Sequence, residues 1–473
     1  MAESKQKTTQ NVTQAAKPSG LLKSSSIVSA MTLISRVLGL ARDVFVASYF
    51  GARADAFFVA FKIPNFFRRL FAEGAFSVAF VPVLSEYKVQ GKDIRSLVRS
   101  VSGTLLAILG PFTILAVAAA PILTWIFAPG FASDANKFAL TSDLLRITFP
   151  YLLLISLTAF YGSVLNTYGQ FAIPAVTPVL LNVSIISCAL LFHDEFEFGA
   201  LSLALGVFIG GVVQLLFQIP FLYRAKMLAR PKWAWRDENV KKVRKLMIPA
   251  LFGVSVSQIN LLLDSIIATF LINGSIAWLY YSDRLIEFPL GLFGIGIATV
   301  ILPSLSKLHT KKDNREFSET VDWGLRIVSL FGWPALAGLM VLAQPIIMVL
   351  FMRGEFSQET VLQVSYALFA YLSGLLSFMF IKVLAPGYYA RQDTKTPVKI
   401  GIKAMVANMV FNLMLAPFFG YVGLAIATTM SATLNAWLLY RGLKQAQIYH
   451  LSRNTKVFIS KLILAASVMA LVV

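Results

Sequence analysis

Residues 278–289, WLYYSDRLIEFP, set Asp283, Arg284 and Glu287 inside a long apolar stretch. Asp283 and Glu287 share a helical face at i, i+4, with Arg284 adjacent. Other apolar runs carry charges too. Arg36 and Asp43 lie seven apart on one face of the run 26–48, and Arg42 is rotated from Arg36 by about 120°. In the run 56–86, Lys62, Asn65 and Arg69 share a face, with Arg68 beside them and Glu73 one turn below. Asp264 and Lys382 sit in two more runs. A charge at the centre of a membrane helix costs about 2.5–3.5 kcal/mol on insertion scales. These groups are therefore expected to face a polar cavity or one another.

Their sum indicates the chemistry. Arg36, Arg42, Lys62, Arg68, Arg69, Arg284 and Lys382 give seven cations; Asp43, Glu73, Asp264, Asp283 and Glu287 give five anions, and Asp55 lies at the outer end of its run. A guanidinium is a planar fork that bonds oxygens in pairs, so an arginine-rich cleft suits phosphate. A net cationic, water-filled cleft in lipid suits an anionic headgroup, a diphosphate above all. Two readings stay open for Asp283, Arg284 and Glu287: contact with a substrate, or a salt-bridge cluster between two halves of the fold. The same choice applies to a pairing of Asp43 with Arg36. Arg69, Lys382, Arg146 and Arg326 lie near run ends, where long cationic side chains reach the interface. Asn408, Asn412, Thr428, Thr429 and Thr433 could join Asp264 around a hard cation, or hydrogen-bond between helices.

The elements holding these residues are membrane spans. The chain of 473 residues is 57% hydrophobic and 14% charged, with a mean hydropathy of +0.72, against about 25% charged residues in an ordinary soluble domain. Runs near 26–48, 56–86, 100–128, 142–163, 174–193, 199–223, 246–271, 276–305, 322–350, 361–389, 398–417, 421–441 and 456–473 predict thirteen spans, the second, eighth and tenth long enough to tilt or kink. Residues 1–20 lack the apolar core of a signal peptide and read as a polar cytoplasmic tail.

Alternate loops differ in charge: 30 Lys and Arg fall on one side against three, Arg53, Lys137 and Arg353, on the other. The positive-inside rule places the N-terminus in the cytoplasm and the acidic loop HDEFE (193–197) outside. That asymmetry absorbs most of the net charge of +19 and makes nucleic-acid binding unnecessary. The single cysteine, Cys188, excludes an internal disulfide and a Cys-based metal site. There is no Walker A motif, and His193, His309 and His450 lie far apart in loops, so no enzyme signature is found.

The sequence also repeats. Residues 58–88 align with 279–309 at an offset of 221, which sets Pro82 on Pro303, Ser85 on Ser306 and Asp43 on Asp264. The unit holds six spans, an even number, so both copies enter the membrane in the same direction, as parallel repeats about the membrane normal. The fold class is therefore an all-α polytopic membrane protein: two parallel six-helix lobes around a central cavity, plus a C-terminal helix. The expected domains are a disordered tail (1–22), an N-lobe (23–223), a basic linker (224–245), a C-lobe (246–445) and a thirteenth span (446–473).

The motifs SRVLGLARD (35–43), DAFFVAFKIPNFFRRLFAEGAFSVAFVP (55–82), WLYYSDRLIEFP (278–289), ILPSLSK (301–307) and KVLAPGYYARQDTKTPVKI (382–400) resemble the MurJ (MviN) lipid II flippases of bacterial peptidoglycan synthesis, within the multidrug/oligosaccharidyl-lipid/polysaccharide exporter superfamily. The resemblance implies alternating access and movement of undecaprenyl-diphosphate-linked disaccharide peptide across the inner membrane, with membrane lipids and other cell-wall synthesis proteins as further partners. By motif it implies functional roles for Arg36, Arg42, Asp55, Arg68, Asp283, Arg284 and Glu287. Substrate contacts are then expected at Arg36, Arg42, Lys62, Arg68, Arg284 and Lys382, with gate or ion-pair roles at Asp43, Asp55, Glu73, Asp283 and Glu287. Some relatives bind sodium between the seventh, eleventh and twelfth helices, which points to Asp264, Asn408, Asn412 and Thr429, with sodium or the membrane potential as the coupling energy. The family usually has fourteen helices, and the thirteenth here reads as truncated. Two alternatives are a drug/cation antiporter, which should have an acidic cavity, and a non-transporting scaffold for cell-wall enzymes, which should have a charge cluster sealed between its lobes.

Overall fold

The computed structural model describes residues 18–70, 76–192, 199–311 and 313–472. Glu73, the acidic loop 193–197 and the tail up to residue 17 lie outside the described residues. The first six spans are α1 (Pro18–Phe50), α2 (Asp55–Arg68) with α3 (Ser77–Val89), α4 (Ile94–Ala118) with α5 (Ala120–Phe127), α6 (Ala135–Thr148) with α7 (Tyr151–Thr167), α8 (Ala172–Phe192) and α9 (Ala200–Arg224). The second half follows the same plan: α10 (Glu238–Ala268), α11 (Ser275–Pro289) joined to α12 (Gly296–Thr310) by a π-helical turn at Leu290–Ile295, α13 (Asn314–Phe351), α14 (Gln358–Leu372) with α15 (Leu375–Tyr389), and α16 (Lys395–Gln445). α17 (Arg453–Val472) closes the chain. Gly420 leaves helical geometry at φ 56° and ψ −135°, so the predicted eleventh and twelfth spans become two arms of α16 meeting at a single residue. The first helix starts at Pro18, inside the segment expected to be tail.

Local chemistry repeats along with topology. Asp93 and Asp313 cap α4 and α13, 220 residues apart, and Asp134 and Ser357 cap α6 and α14, 223 apart, each accepting from a backbone N–H of the first turn. Packing repeats as well: α2 lies on α6 as α11 lies on α14, and α1 lies on α8 as α10 lies on α16. By length and composition, nine helices among the described residues could cross a bilayer, with α16 counted as one. Their outer surfaces leave Ile114, Leu191, Leu413 and Phe418 exposed, as a lipid-facing wall requires. The domain boundary expected at 245/246 falls inside α10. Val240 and Val243 in its first turns are buried with Phe80, Leu97 and Phe160 of the first half, so this end of α10 packs with the N-lobe.

The lobes meet tightly at the end of the bundle opposite the 224–245 linker, here called the gate end. Asp55, 2% exposed, accepts from the backbone N–H of Gly274 (2.7 Å) and Ala277 (2.8 Å) at the start of α11 and from Lys137 Nζ (3.1 Å). Lys137 also donates to Asn273 (2.8 Å), Gly130 N–H donates to Thr269 Oγ1 (3.1 Å), and Arg53 pairs with Glu355. Glu355 N–H donates to Ser48 carbonyl at 2.8 Å. Gly354, at φ 55°, allows this: a Cβ there would stand 2.3 Å from the Ser48 oxygen.

α17 is clasped to α13. Arg326 Nε donates to Thr455 Oγ1 (2.6 Å), and buried Asp322 accepts the Tyr449 hydroxyl. Arg326, read from its position as an interfacial side chain, is a clasp between helices instead.

Candidate functional site

Between the gate end and the linker lies a cavity of about 770 Å³ walled by both lobes. Its lining includes Arg36, Arg42, Lys62, Arg68, Arg69 and Arg284, six cations, against three acids, Asp264, Asp283 and Glu287. Five of the six expected substrate contacts therefore share one space. The sixth, Lys382, packs beside the π-helical turn near Gly294 and is not part of the lining.

Asp43, 1% exposed, organises the wall. Its Oδ1 accepts from Arg42 Nη2 (2.6 Å) and Nε (3.0 Å) and from the Tyr280 hydroxyl (3.0 Å). Its Oδ2 accepts from Arg284 Nε at 2.7 Å. Arg42 also donates to Tyr280 Oη (2.7 Å) and Asn182 Oδ1 (3.2 Å). A buried carboxylate is tolerable only with such partners, because desolvation otherwise outweighs any single Coulomb contact. The pairing of Asp43 with Arg36, one of the readings left open by the sequence, does not occur. Seven residues along one helix are about 10 Å, too far for the two groups to close on each other, and the partners come from the next residue and from α11.

Arg36 reaches across to α11's π-helical extension, where a Cβ on Gly291 would stand 2.0 Å from its Nη1. Arg284 is seated similarly: a Cβ on Gly39 would lie 2.6 Å from its Nη2. Both arginines thus occupy the space a glycine leaves on the opposite lobe. Glu287 holds Arg284 from its own helix (3.1 Å), so Asp43 and Glu287 position it, while Asp283 faces the cavity. Lys62 of the first lobe lies in the field of Asp283 and Asp264 of the second. Arg68 Nε donates to Asn65 Oδ1 at 2.9 Å. Asp55 stands apart from the cavity, at the gate end.

A second polar cluster lies behind Asp264. Asn412 Nδ2 donates to Asp264 Oδ1 (2.6 Å) and Asn408 Oδ1 (2.9 Å), and Thr428 Oγ1 meets Asp264 Oδ2 at 3.5 Å. The buried Asn412 Oδ1 has no hydrogen-bond partner among the described residues. Carboxylate, amide and hydroxyl oxygens here fit a hard cation. Thr429 is not among them. Its hydroxyl donates to the Ile426 carbonyl, turned one position around α16, and Thr428 takes the expected place.

Sequence reasoning missed Tyr280, Asn182 and the two glycine seats. Tyr280 carried a signal in its spacing from Asp283, Arg284 and Glu287 at i+3, i+4 and i+7; the glycines carried none, because their role is space for a residue from the other lobe.

A family model described as lipid II flippase MurJ matches residues 46–473. The chain belongs to this MurJ family. It is 59% identical over 460 residues to a probable lipid II flippase MurJ of Vibrio cholerae, covering 95% of this chain and 88% of that one. It is 42% identical to the lipid II flippase MurJ of Burkholderia cenocepacia, over 95% and 89% of the two chains. A solved structure of a lipid II flippase MurJ in an inward closed conformation superposes with a TM-score of 0.80 at 30% identity, covering 94% and 91%. A multidrug resistance MATE family transporter of the MOP superfamily shares the fold, with a TM-score of 0.72 at 16% identity and coverage of 90% and 95%. The MurJ family places a multi-pass architecture around the cationic cavity just described.

Proposed function

We propose that this chain is a flippase for lipid II, moving it across the bacterial inner membrane with the basic linker end in the cytoplasm. The observation that carries this reading is one cavity, built by both lobes of a MurJ family member, that joins Arg36, Arg68 and Arg284. Its excess of cations suits a diphosphate and disfavours a cation exporter. A charge cluster sealed between lobes, as a scaffold would need, is not what lines it.

In this reading the arginines grip the diphosphate while the polyprenyl tail stays in the bilayer. The contacts around Asp55 shut the far side and must part before the headgroup leaves. Sodium held by Asp264, Asn408, Asn412 and Thr428 would supply fixed positive charge between α10 and α16, biasing one arrangement of the C-lobe. The membrane potential is a further source of work, about 2.3 kcal/mol per charge moved through 100 mV.

The test is replacement of an essential flippase in a depletion strain by the full-length protein. Wild type is expected to sustain growth and Arg284→Ala, expressed to the same level, to fail. Growth of the variant equal to wild type would remove Arg284 from the headgroup site.

A further inference from the structure

We infer that the first lobe carries a neutral subsite, built on Gln214 and Gln218, that binds a secondary amide of the substrate headgroup. The inference deepens the flippase reading and rests on it.

The two glutamines lie one turn apart on α9, are 1% and 0% exposed overall, and line the cavity. Gln214 Nε2 donates to the Thr177 carbonyl at 2.7 Å, and its Oε1 has no partner among the described residues. Among the described residues, neither polar atom of Gln218 has a partner. Buried amides in proteins are nearly always paired, and leaving one unpaired is costly. Two neighbouring ones, three of their four polar atoms unpaired on a cavity wall, mark a surface made to receive a hydrogen-bonding group.

The surroundings define its chemistry. Beside Gln218 stands Gly162 of α7, where a Cβ would come within 3.2 Å of Pro174 Cβ and 3.6 Å of Gln218 Nε2, so the missing side chain leaves a methyl-sized space next to the buried amide. Thr158 and Ser163 on the same helix line the cavity with hydroxyls that donate back to Leu154 and Ala159 carbonyls and so offer acceptors only. These wall residues are uncharged, whereas the cations belong to α1, α2 and α11. An anion would use only the Gln218 N–H groups, and a cation only its oxygen. A secondary amide uses both, its C=O taking the N–H and its N–H reaching the Oε1. In the headgroup, such groups are the acylamino substituents of an amino sugar and the bonds of the peptide. The cationic wall thus takes the diphosphate and the glutamine wall an amide.

Gln218→Met is the variant of choice. It keeps the volume and removes a polar group that has no protein partner, so thermal stability should hold or rise. Binding would be measured on the purified full-length protein with three probes: lipid II, its counterpart lacking the peptide, and undecaprenyl diphosphate. The expected result is lipid II binding weakened about fivefold, the worth of one neutral hydrogen bond, with undecaprenyl diphosphate unchanged. Loss on both headgroup probes assigns the acylamino group; loss on the peptide-bearing probe alone assigns the peptide. Unchanged lipid II binding, or equal weakening of all three probes, overturns the subsite. A lower melting temperature also overturns it, since that would mark a structural glutamine. Failure of the wild-type protein to bind lipid II would instead defeat the flippase reading.

Discussion

At the scale of single residues, two arginines depend on glycines they never bond. Gly39 and Gly291 give Arg284 and Arg36 their places, and an added methyl would stand within 2.6 and 2.0 Å of the guanidinium nitrogens. The far end of a long side chain can move aside at little cost, and Gly→Ala within a helix favours folding by about 0.5–1 kcal/mol. Gly39→Ala is therefore expected to keep or raise the melting temperature while lowering lipid II affinity about tenfold or more, the scale of a lost charged hydrogen bond. Thermal unfolding and binding measured on one preparation separate the two effects. The charged residues themselves were legible in the sequence, because hydropathy makes each conspicuous. Their partners were not. Periodicity along one helix points Asp43 toward Arg36, yet its Oδ2 is taken by Arg284, 241 residues away. Helical spacing reports which residues share a face and says nothing of what the other lobe presents to it.

At the scale of elements, Asp55 ties one lobe to the first turn of a helix in the other. It accepts two backbone N–H groups that α11 cannot pair internally and also meets Lys137. Asp55→Asn removes the charge and leaves Lys137 half-partnered, a loss of about 3–5 kcal/mol when a buried pair is broken. The gate should then open more often. In a Cys188→Ala background, Ala56→Cys, 1% exposed at this seam, should react slowly with a membrane-impermeant maleimide. Adding Asp55→Asn should speed that labelling several-fold; an unaltered rate would show that Asp55 does not hold the gate. The sequence marked Asp55 only by motif and position. It could not show a capping role, since the capped helix begins 220 residues later. Span number and order were far more legible, because a membrane-crossing helix announces itself by composition. The π-helical turn in span 8 and the joint in span 10 fall in segments too long for one straight crossing, whereas the joints in spans 3 and 4 and the one at Gly420, where no polar loop separates the two arms, were not marked by length.

At the scale of the whole molecule, the parallel repeat carried the architecture, and the repeated caps and helix pairings show why so faint a sequence match sufficed. The oxygen cluster at Asp264 links α10 to both arms of α16, so an ion bound there would stiffen the C-lobe. Thermal unfolding in sodium chloride against choline chloride is the measurement. At a hundredfold excess over Kd, sodium should add about 2.7 kcal/mol, and Asp264→Asn should abolish that gain. The bridge from Arg284 to Asp43 has a consequence of another kind. Because it joins the lobes through a guanidinium that also faces the cavity, a phosphate arriving as the proposed function requires would compete with Asp43 for the same fork. Loading the carrier and loosening its halves would then be one exchange, in which a bond to phosphate replaces a bond to carboxylate. In the proposed cycle, Asp43 would retake the fork as the phosphate leaves, so that release of the cargo and rejoining of the lobes would also be a single exchange.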